Sequence, residues 1–529
     1  MSAKHIFITS SVIAILAILF LGWLNTYFLL GLIVVVPVIV IGLIDMVQKR
    51  QTIRRNFPVI GNFRYLLERV RPEIMQYFVE TDTEGKPINR IFRSVIYQRA
   101  KKETSTSPFG TQWDVYRAGY EWIEHSMYAA NPHDLEQEQR VWVGGKDCLQ
   151  PYLASRLNIS GMSFGSLSKN AVLAMNAGAK AGGFAQNTGE GGISPYHLRP
   201  GGDLIWQIGT GYFGCRTDDG EFSPERFQQK ATLDNVKMIE IKISQGAKPG
   251  HGGILPASKN TEEIAAIRHV VPHTTVDSPP SHSAFDDAES LMRFVKQLRD
   301  LSGGKPVGFK VCIGKKAEFV EICEAMISTG IKPDFIAIDG GEGGTGAAPI
   351  EFADSIGMPL RDGLSFAIDT LRGFDLKKDI RVIASGKVFN GFHIARLIAI
   401  GADMVSVARA MMLATGCIQA LQCNLNTCPT GVATQDERLI KGLVVEDKSQ
   451  RVANFHEATV RSFIELIAAS GVKAADELKR EHIFRRVGAT QVLKYSDIYP
   501  EVPVGEYLKN GSSRPSERTS AGLNATSVT

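Results

Sequence analysis

The hydrophobic pattern changes character along the chain. Residues 6–24 run without a charge, Asn25 and Thr26 interrupt, and residues 27–44 are again uncharged. Each run approaches the roughly 20 residues that cross a bilayer core. The pattern therefore predicts two membrane spans, a transmembrane helical hairpin joined by a two-residue polar break. Trp23 and Tyr27 flank the break, where aromatic side chains favour a membrane interface. Lys4 precedes the first span, and Lys49, Arg50, Arg54 and Arg55 follow the second. Both ends are then expected on the cytoplasmic side of the inner membrane, with everything from Asp45 onward in the cytoplasm. A cleaved signal peptide is the competing reading, against which the apolar region is long and doubled.

Residues 49–150 are mixed, with aromatic and basic residues at helical spacing, and read as a helical connector packing on the main domain. From about residue 155 the pattern turns regular. Short apolar or β-branched runs end in Gly-rich or polar loops, and amphipathic stretches follow. The predicted strands are LNISGM, GGFAQNT, DLIWQIG, MIEIKIS, HTTVDS, VGFKVCI, FIAIDG, RVIASG and MVSVARA. Strands alternating with helices call for a parallel sheet. Eight to nine such units make an α/β fold, a closed (β/α)8 TIM barrel, with an open doubly wound sheet as the alternative. The expected organisation is a hairpin over 1–48, the connector over 49–150, the barrel over 151–485 and a C-terminal extension over 486–529. The tail from about residue 510 is rich in Ser, Gly and Thr, and is expected to be disordered.

Composition changes this picture little. The chain has 529 residues, 44% apolar and 22% charged, with a net charge of +4. That balance gives no support for a nucleic-acid partner, which shows as a concentrated basic stripe. Seven cysteines are too few for a disulfide scaffold in a chain this long. Cys417, Cys423 and Cys428 fall within one short window and read as metal or cluster ligands, zinc included. Cys148, Cys215, Cys312 and Cys323 are scattered and read as small buried hydrophobes.

Glycines gather after the later strands. Residues 336–349, 381–391 and 404–416 each end an apolar run in Gly or small residues just before a helix. In barrels such strand ends hold phosphate. Lys310 closes VGFK on a strand, where a buried ammonium needs an anionic partner or must lose its charge.

MSFGSLSKNA, NTGEGG, KISQGAKPGHGGILP, SPPSH, GGTGAAP, ASGKVFNG and GCIQALQCNLNTCPTGVATQ, in that order over residues 157–435, resemble the FMN-binding synthase domain of glutamate synthase. The hairpin and connector resemble those of membrane-attached, stand-alone members. The resemblance implies FMN and a 3Fe–4S cluster held by Cys417, Cys423 and Cys428. It places Ser163 and Gln186 against the flavin, Lys310 at its pyrimidine edge, and Gly343, Gly344, Gly386, Lys387, Ala408 and Arg409 around its phosphate or ribityl chain. It assigns Gln245, Lys248 and Arg268 to the carboxylates of 2-oxoglutarate, with Glu190 in the same pocket. The reaction implied is reductive amination of 2-oxoglutarate to glutamate. Ammonia is free or comes from a separate amidotransferase subunit, and electrons come from ferredoxin or a membrane redox partner. The chain departs from the family where KPGEGGQLPG becomes KPGHGGILPA, which puts His251 and Ile254 at two positions near the oxoacid, and where Asn424 replaces a frequent His. Those departures keep open a flavin and iron–sulfur dehydrogenase for another amine or oxoacid. A non-catalytic electron-transfer subunit is the third reading, against which Gln245, Lys248 and Arg268 are intact.

Overall fold

The computed structural model describes residues 2–509 and divides the chain into two compact units that meet after Arg90. The predicted disordered tail lies outside the described residues.

In the first unit, helices Ala3–Leu24 and Leu32–Val47 flank a 3-10 turn at Thr26–Gly31. The Asn25 side chain accepts the Tyr27 N–H and caps the turn at the predicted polar break. Small residues let the two helices close on each other. A Cβ on Gly42 would lie 2.1 Å from the Phe7 ring, and one on Gly31 would lie 3.3 Å from Ile18. Ala3–Leu24 and Thr26–Val47 are each long and apolar enough to cross a membrane. Near the end of the second stretch lies Asp45, a fully buried carboxylate. It accepts from Arg54 and the Val59 N–H, and so ties down the helices that follow.

The second unit contains the barrel. Its strands are β1 (Leu157–Ile159), β2 (Gln186–Asn187), β3 (Leu204–Ile208), β4 (Val236–Lys242), β5 (Val307–Val311), β6 (Phe335–Asp339), β7 (Arg381–Ser385) and β8 (Met404–Val407). Each pairs in parallel with the next, and β8 pairs with β1 to close the ring. The closed ring excludes the open doubly wound sheet. Eight of the nine predicted runs are barrel strands. The ninth, HTTVDS, is not: Val276–Asp277 pairs antiparallel with Ile254–Leu255 in a separate two-stranded ribbon.

Helices follow the strands where capping residues allow. Ser168 accepts the Ala171 N–H to start helix Lys169–Gly182, and Gly183 ends it in the left-handed region. The long helix Val445–Ala469 packs there, so close that a Cβ on Gly178 would lie 2.7 Å from the Ser449 carbonyl. Beneath the barrel, the hairpin Arg140–Val143 with Tyr152–Ser155 sends Val143 and Ala154 into a core with Ile205, Met238, Phe335 and Ile383. Each large side chain buried there is worth about 1.5–3 kcal/mol. With that end plugged, only the carboxyl ends of the strands are left to form a site.

The connector is helical as far as Ala100 and then runs as loops and short strands. Its helix Arg90–Ala100 is fastened to the barrel unit through Tyr97, which donates to the Cys417 carbonyl at 2.8 Å. Glu121–Ile123, Ile483–Arg486 and Val492–Lys494 form a small antiparallel sheet, so part of the C-terminal extension is ordered.

Candidate active site at the strand ends

A cleft opens at the carboxyl ends of β5 to β8. Ser160, Gly161, Gln245, Lys310 and Asp339 line one part of it. Gly343, Gly344, Gly386, Lys387, Ala408 and Arg409 line another. The late glycines give bare backbone. Gly386 takes φ +144°, and a Cβ on Gly344 would lie 2.9 Å from the Arg409 side chain. The loops after β4 and β6 touch backbone to backbone, since a Cβ on Gly246 would lie 1.9 Å from the Gly340 carbonyl.

Lys310 does have an anionic partner. Its Nζ lies 3.1 Å from Asp339 Oδ2. Burial draws the ammonium pKa down, but Asp339, Glu240 and Glu190 outweigh burial and hold it above the ordinary lysine value. Lys310 is therefore charged in the cleft. Asp339 also accepts the Gly246 N–H at 2.8 Å. Glu240, on β4, accepts from Asn187 at 2.8 Å and Gln207 at 2.7 Å.

A second group of charges centres on Glu190, in the loop after β2. Lys242 at the end of β4 reaches Glu190 Oε1 at 2.8 Å. Burial pushes the Glu190 pKa up, but Lys242, Lys248 and Arg268 together hold it below the ordinary carboxylate value, so it is ionised. The loop after β4 comes so near that a Cβ on Gly253 would lie 2.3 Å from Glu190 Oε1. Burial draws Lys248 down to about 8 against the opposing pull of Glu190. Its ammonium donates to the Ala347 carbonyl at 3.0 Å. Arg268 is 4% exposed. Burial draws it to about 10, with Glu190 opposing. Its guanidinium lies 5.1 Å from the Phe213 ring centre, and its Nε–H has no partner in the described structure. Ser163 Oγ is 3.4 Å from Arg268 Nη2. His282 accepts from the Tyr212 hydroxyl and donates to the Lys242 carbonyl, which braces the end of β4.

Gln186 is fully buried on β2, and both its amide atoms lack partners. A buried amide in that state calls for a ligand or water. The glycine-lined strand ends and the cations Lys387 and Arg409 fit a flat polar ring carrying a phosphate, while Gln186 is not among the residues lining that cleft.

His251 and Ile254 lie in the loop after β4. The imidazole meets Phe352 edge-on, ring centres 5.2 Å apart, and bonds the Gly252 carbonyl. Ile254 is half-buried on the ribbon strand.

Cys417, Cys423 and Cys428 share one segment and feel one another's charge. Burial first, then the other two sulfurs, push Cys417 up to about 12. Cys428 differs. Burial raises it, but hydrogen bonds from Thr430 and from the Ala433 and Val432 amides bring it below the ordinary thiol value. Among the described residues no three such side chains converge tightly enough to hold a metal ion. The sulfurs are neighbours without being assembled around a point. Cys215, Cys312 and Cys323 are buried singly, as expected, and Cys148 is half-buried.

Sequence reasoning missed Asp339, Glu240, Lys242 and Lys259. The signal for Asp339 was present, because Lys310 demanded an anion and FIAIDG ends the adjacent strand. Lys242 stood in a quoted motif without a role.

A closed parallel barrel with its polar and glycine-lined groups gathered at the strand carboxyl ends places this unit among the α/β-barrel enzymes. Residues 93–473 match the conserved region in glutamate synthase, and the chain belongs to that family of oxidoreductases acting on CH–NH2 groups. It is 37% identical over 501 residues to the glutamate synthase large subunit-like protein YerD of Bacillus subtilis (strain 168), covering 87% of this chain and 95% of that protein. It is 35% identical to the archaeal glutamate synthase (NADPH) of Methanocaldococcus jannaschii, covering 62% of this chain and 61% of that one. A looser likeness, 14% identical with a TM-score of 0.41, covers 79% of the chain and 98% of a mandelate oxidase mutant with a monooxide FMN adduct. Nothing about the chemistry of this chain rests on that likeness.

Proposed function

We propose that this chain reductively aminates 2-oxoglutarate to glutamate with ammonia and electrons from an external donor. The observation that carries the reading is the buried cluster in which Lys242, Lys248 and Arg268 act on the carboxylate of Glu190. Three cations against Glu190, with Asp277 acting more weakly on Lys248, leave positive charge for a small dicarboxylate. The unpartnered Nε–H of buried Arg268 adds a donor suited to a planar carboxylate, while Lys248 serves as a point charge. FMN would be held by Gly343, Gly344, Gly386, Lys387, Ala408 and Arg409 at its phosphate, with Lys310, Gln186 and Ser163 toward its ring. When bound, it supplies the hydride for an imine carbon. The chain's own residues orient the oxoacid through its two carboxylates. Gln245 lines the wall of the cleft and would add an amide to the oxoacid's contacts.

His251 and Ile254 support a second reading, an oxoacid or amine with a less polar far end, because the ribbon presents an apolar side chain beside Asp277. Purified protein given 2-oxoglutarate, ammonia and a chemical reductant separates the two. Glutamate formed supports the first, and turnover of another oxoacid alone supports the second. Bound flavin with no turnover of any oxoacid ends both.

Cys417, Cys423 and Cys428 are the ligand set for the 3Fe–4S cluster. What supports this is three thiols on one segment with coupled charges; no step above depends on it. The donor stays open between ferredoxin and a membrane redox partner, and ammonia between the free molecule and a partner amidotransferase. The two apolar helices support an inner-membrane anchor with the barrel in the cytoplasm. Detergent, but not high salt, should then release the full chain from membranes.

A further inference from the structure

The loop of residues 163–167, which leaves β1, has its carbonyls taken in turn from two sides. Arg268 Nη2 donates to the Phe164 carbonyl at 3.0 Å. Gln435 Nε2 donates to the Gly165 carbonyl at 3.0 Å and the Leu167 carbonyl at 2.9 Å. Between those two, Lys259 Nζ donates to the Ser166 carbonyl at 3.1 Å and to the Ala433 carbonyl at 2.9 Å. Lys259 is 2% exposed, and no carboxylate lies within ion-pair distance of it among the described residues. Its ammonium is bonded to carbonyls, with the thiols of Cys423 and Cys428 as its electrostatic neighbours, and burying such a group is costly. Its two bonds tie the Ser166 carbonyl to the Ala433 carbonyl.

The tie reaches the cysteine segment. Asn426, between Cys423 and Cys428, accepts the Gln435 N–H at 2.7 Å and donates to the carbonyl of Ser258, the neighbour of Lys259, at 2.9 Å. Gly165 is the close point on the other side. A Cβ there would lie 3.1 Å from Arg268 Nη2, so a shift of this loop moves the guanidinium directly.

We propose that Lys259 is a positioning residue for the oxoacid pocket, holding the 163–167 loop so that Arg268 keeps its aim, and that the cysteine segment thereby sets oxoacid affinity. The inference rests on the assignment of Arg268 to an oxoacid carboxylate. Gln435 acts with Lys259 from the same side.

The test is steady-state kinetics on the full chain with 2-oxoglutarate, ammonia and a chemical reductant, with the flavin absorbance recorded alongside. Lys259→Met should raise KM for 2-oxoglutarate on the order of tenfold, the scale of a typical coupling between sites. Its kcat and flavin absorbance should stay within about twofold of the parent, because only ground-state and transition-state binding in common is lost. Lys259→Arg, which keeps the charge and the donors, should recover part of the KM. If Lys259→Met does not fold, Gln435→Leu removes two other carbonyl contacts to the same loop, those of Gly165 and Leu167, and should move KM the same way. Arg268→Lys is the control for the underlying reading. If it raises KM while Lys259→Met and Gln435→Leu do not, the positioning role is overturned. If it leaves KM unchanged, the oxoacid assignment itself falls and the inference goes with it. Loss of kcat and flavin at unchanged KM in the Lys259 variants would mean general support of the fold and would also overturn the proposal.

Discussion

Asp339→Asn perturbs one charge in the centre of the cleft. Asp339 Oδ2 stands 3.1 Å from Lys310 Nζ, and both side chains are about nine-tenths buried. At an effective dielectric of about 20, that separation corresponds to an attraction of roughly 5 kcal/mol before desolvation is counted. Breaking a buried pair by removing one partner costs about 3–5 kcal/mol. Two features place this case at the lower end. The replacement amide would keep an oxygen for the Gly246 N–H, and Glu240 and Glu190 still act on Lys310. The variant is expected to melt about 3 °C below the parent when followed by far-UV circular dichroism, because a unit of this size unfolds with a large entropy. The pH window follows from the direction of the shift. A lysine whose folded pKa is raised contributes stability below its unfolded value, about 10.4, and loses it only as pH rises through the higher folded value. The deficit should therefore be flat from about pH 6 to 9. Adding Lys310→Met to Asp339→Asn should restore part of the loss, because neighbouring sites couple. A single variant melting within about 1 °C of the parent, or a double variant whose losses simply add, would refute this account of the pair.

Other outcomes follow from the same geometry. Lys248 loses its charge as pH rises through about 8, so kcat/KM for the oxoacid should fall on that alkaline limb, and Lys248→Arg should move the limb upward. A limb unmoved by that exchange would assign it to another group. Gly246→Ala would place a Cβ 1.9 Å from the Gly340 carbonyl, forcing apart the loops after β4 and β6. It should cost about 1–3 kcal/mol in denaturant unfolding and reduce bound flavin. Cys428→Ser should lower iron and sulfide per chain and bleach the iron–sulfur absorbance while the flavin bands persist. A spectrum identical to the parent would remove Cys428 from the ligand set.

The barrel was legible because parallel strands are covered on both faces and so read as short, near-continuous apolar runs. FIAID, RVIAS and MVSV stand out in the sequence for that reason. HTTVDS has one apolar residue, Val276, and lies outside the ring, where it pairs with Ile254–Leu255 in a separate ribbon. The glycines at 343, 344 and 386 could be assigned to a cleft because each follows a strand. Gln186 gave no comparable sign, since a buried amide without partners looks in sequence like any other strand residue.

What the sequence determined by itself is the order of elements, the two apolar helices and the residue types offered at each strand end, all of which depend on neighbours a few positions apart. Tertiary structure alone decided which charges meet. Lys310 faces Asp339, Glu190 is held by Lys242, Lys248 and Arg268, and Lys259 joins the β1 loop to the cysteine segment. Those pairings span tens to hundreds of residues, and closure of the ring sets them. An isolated strand end carries no information about which distant side chain will balance its charge.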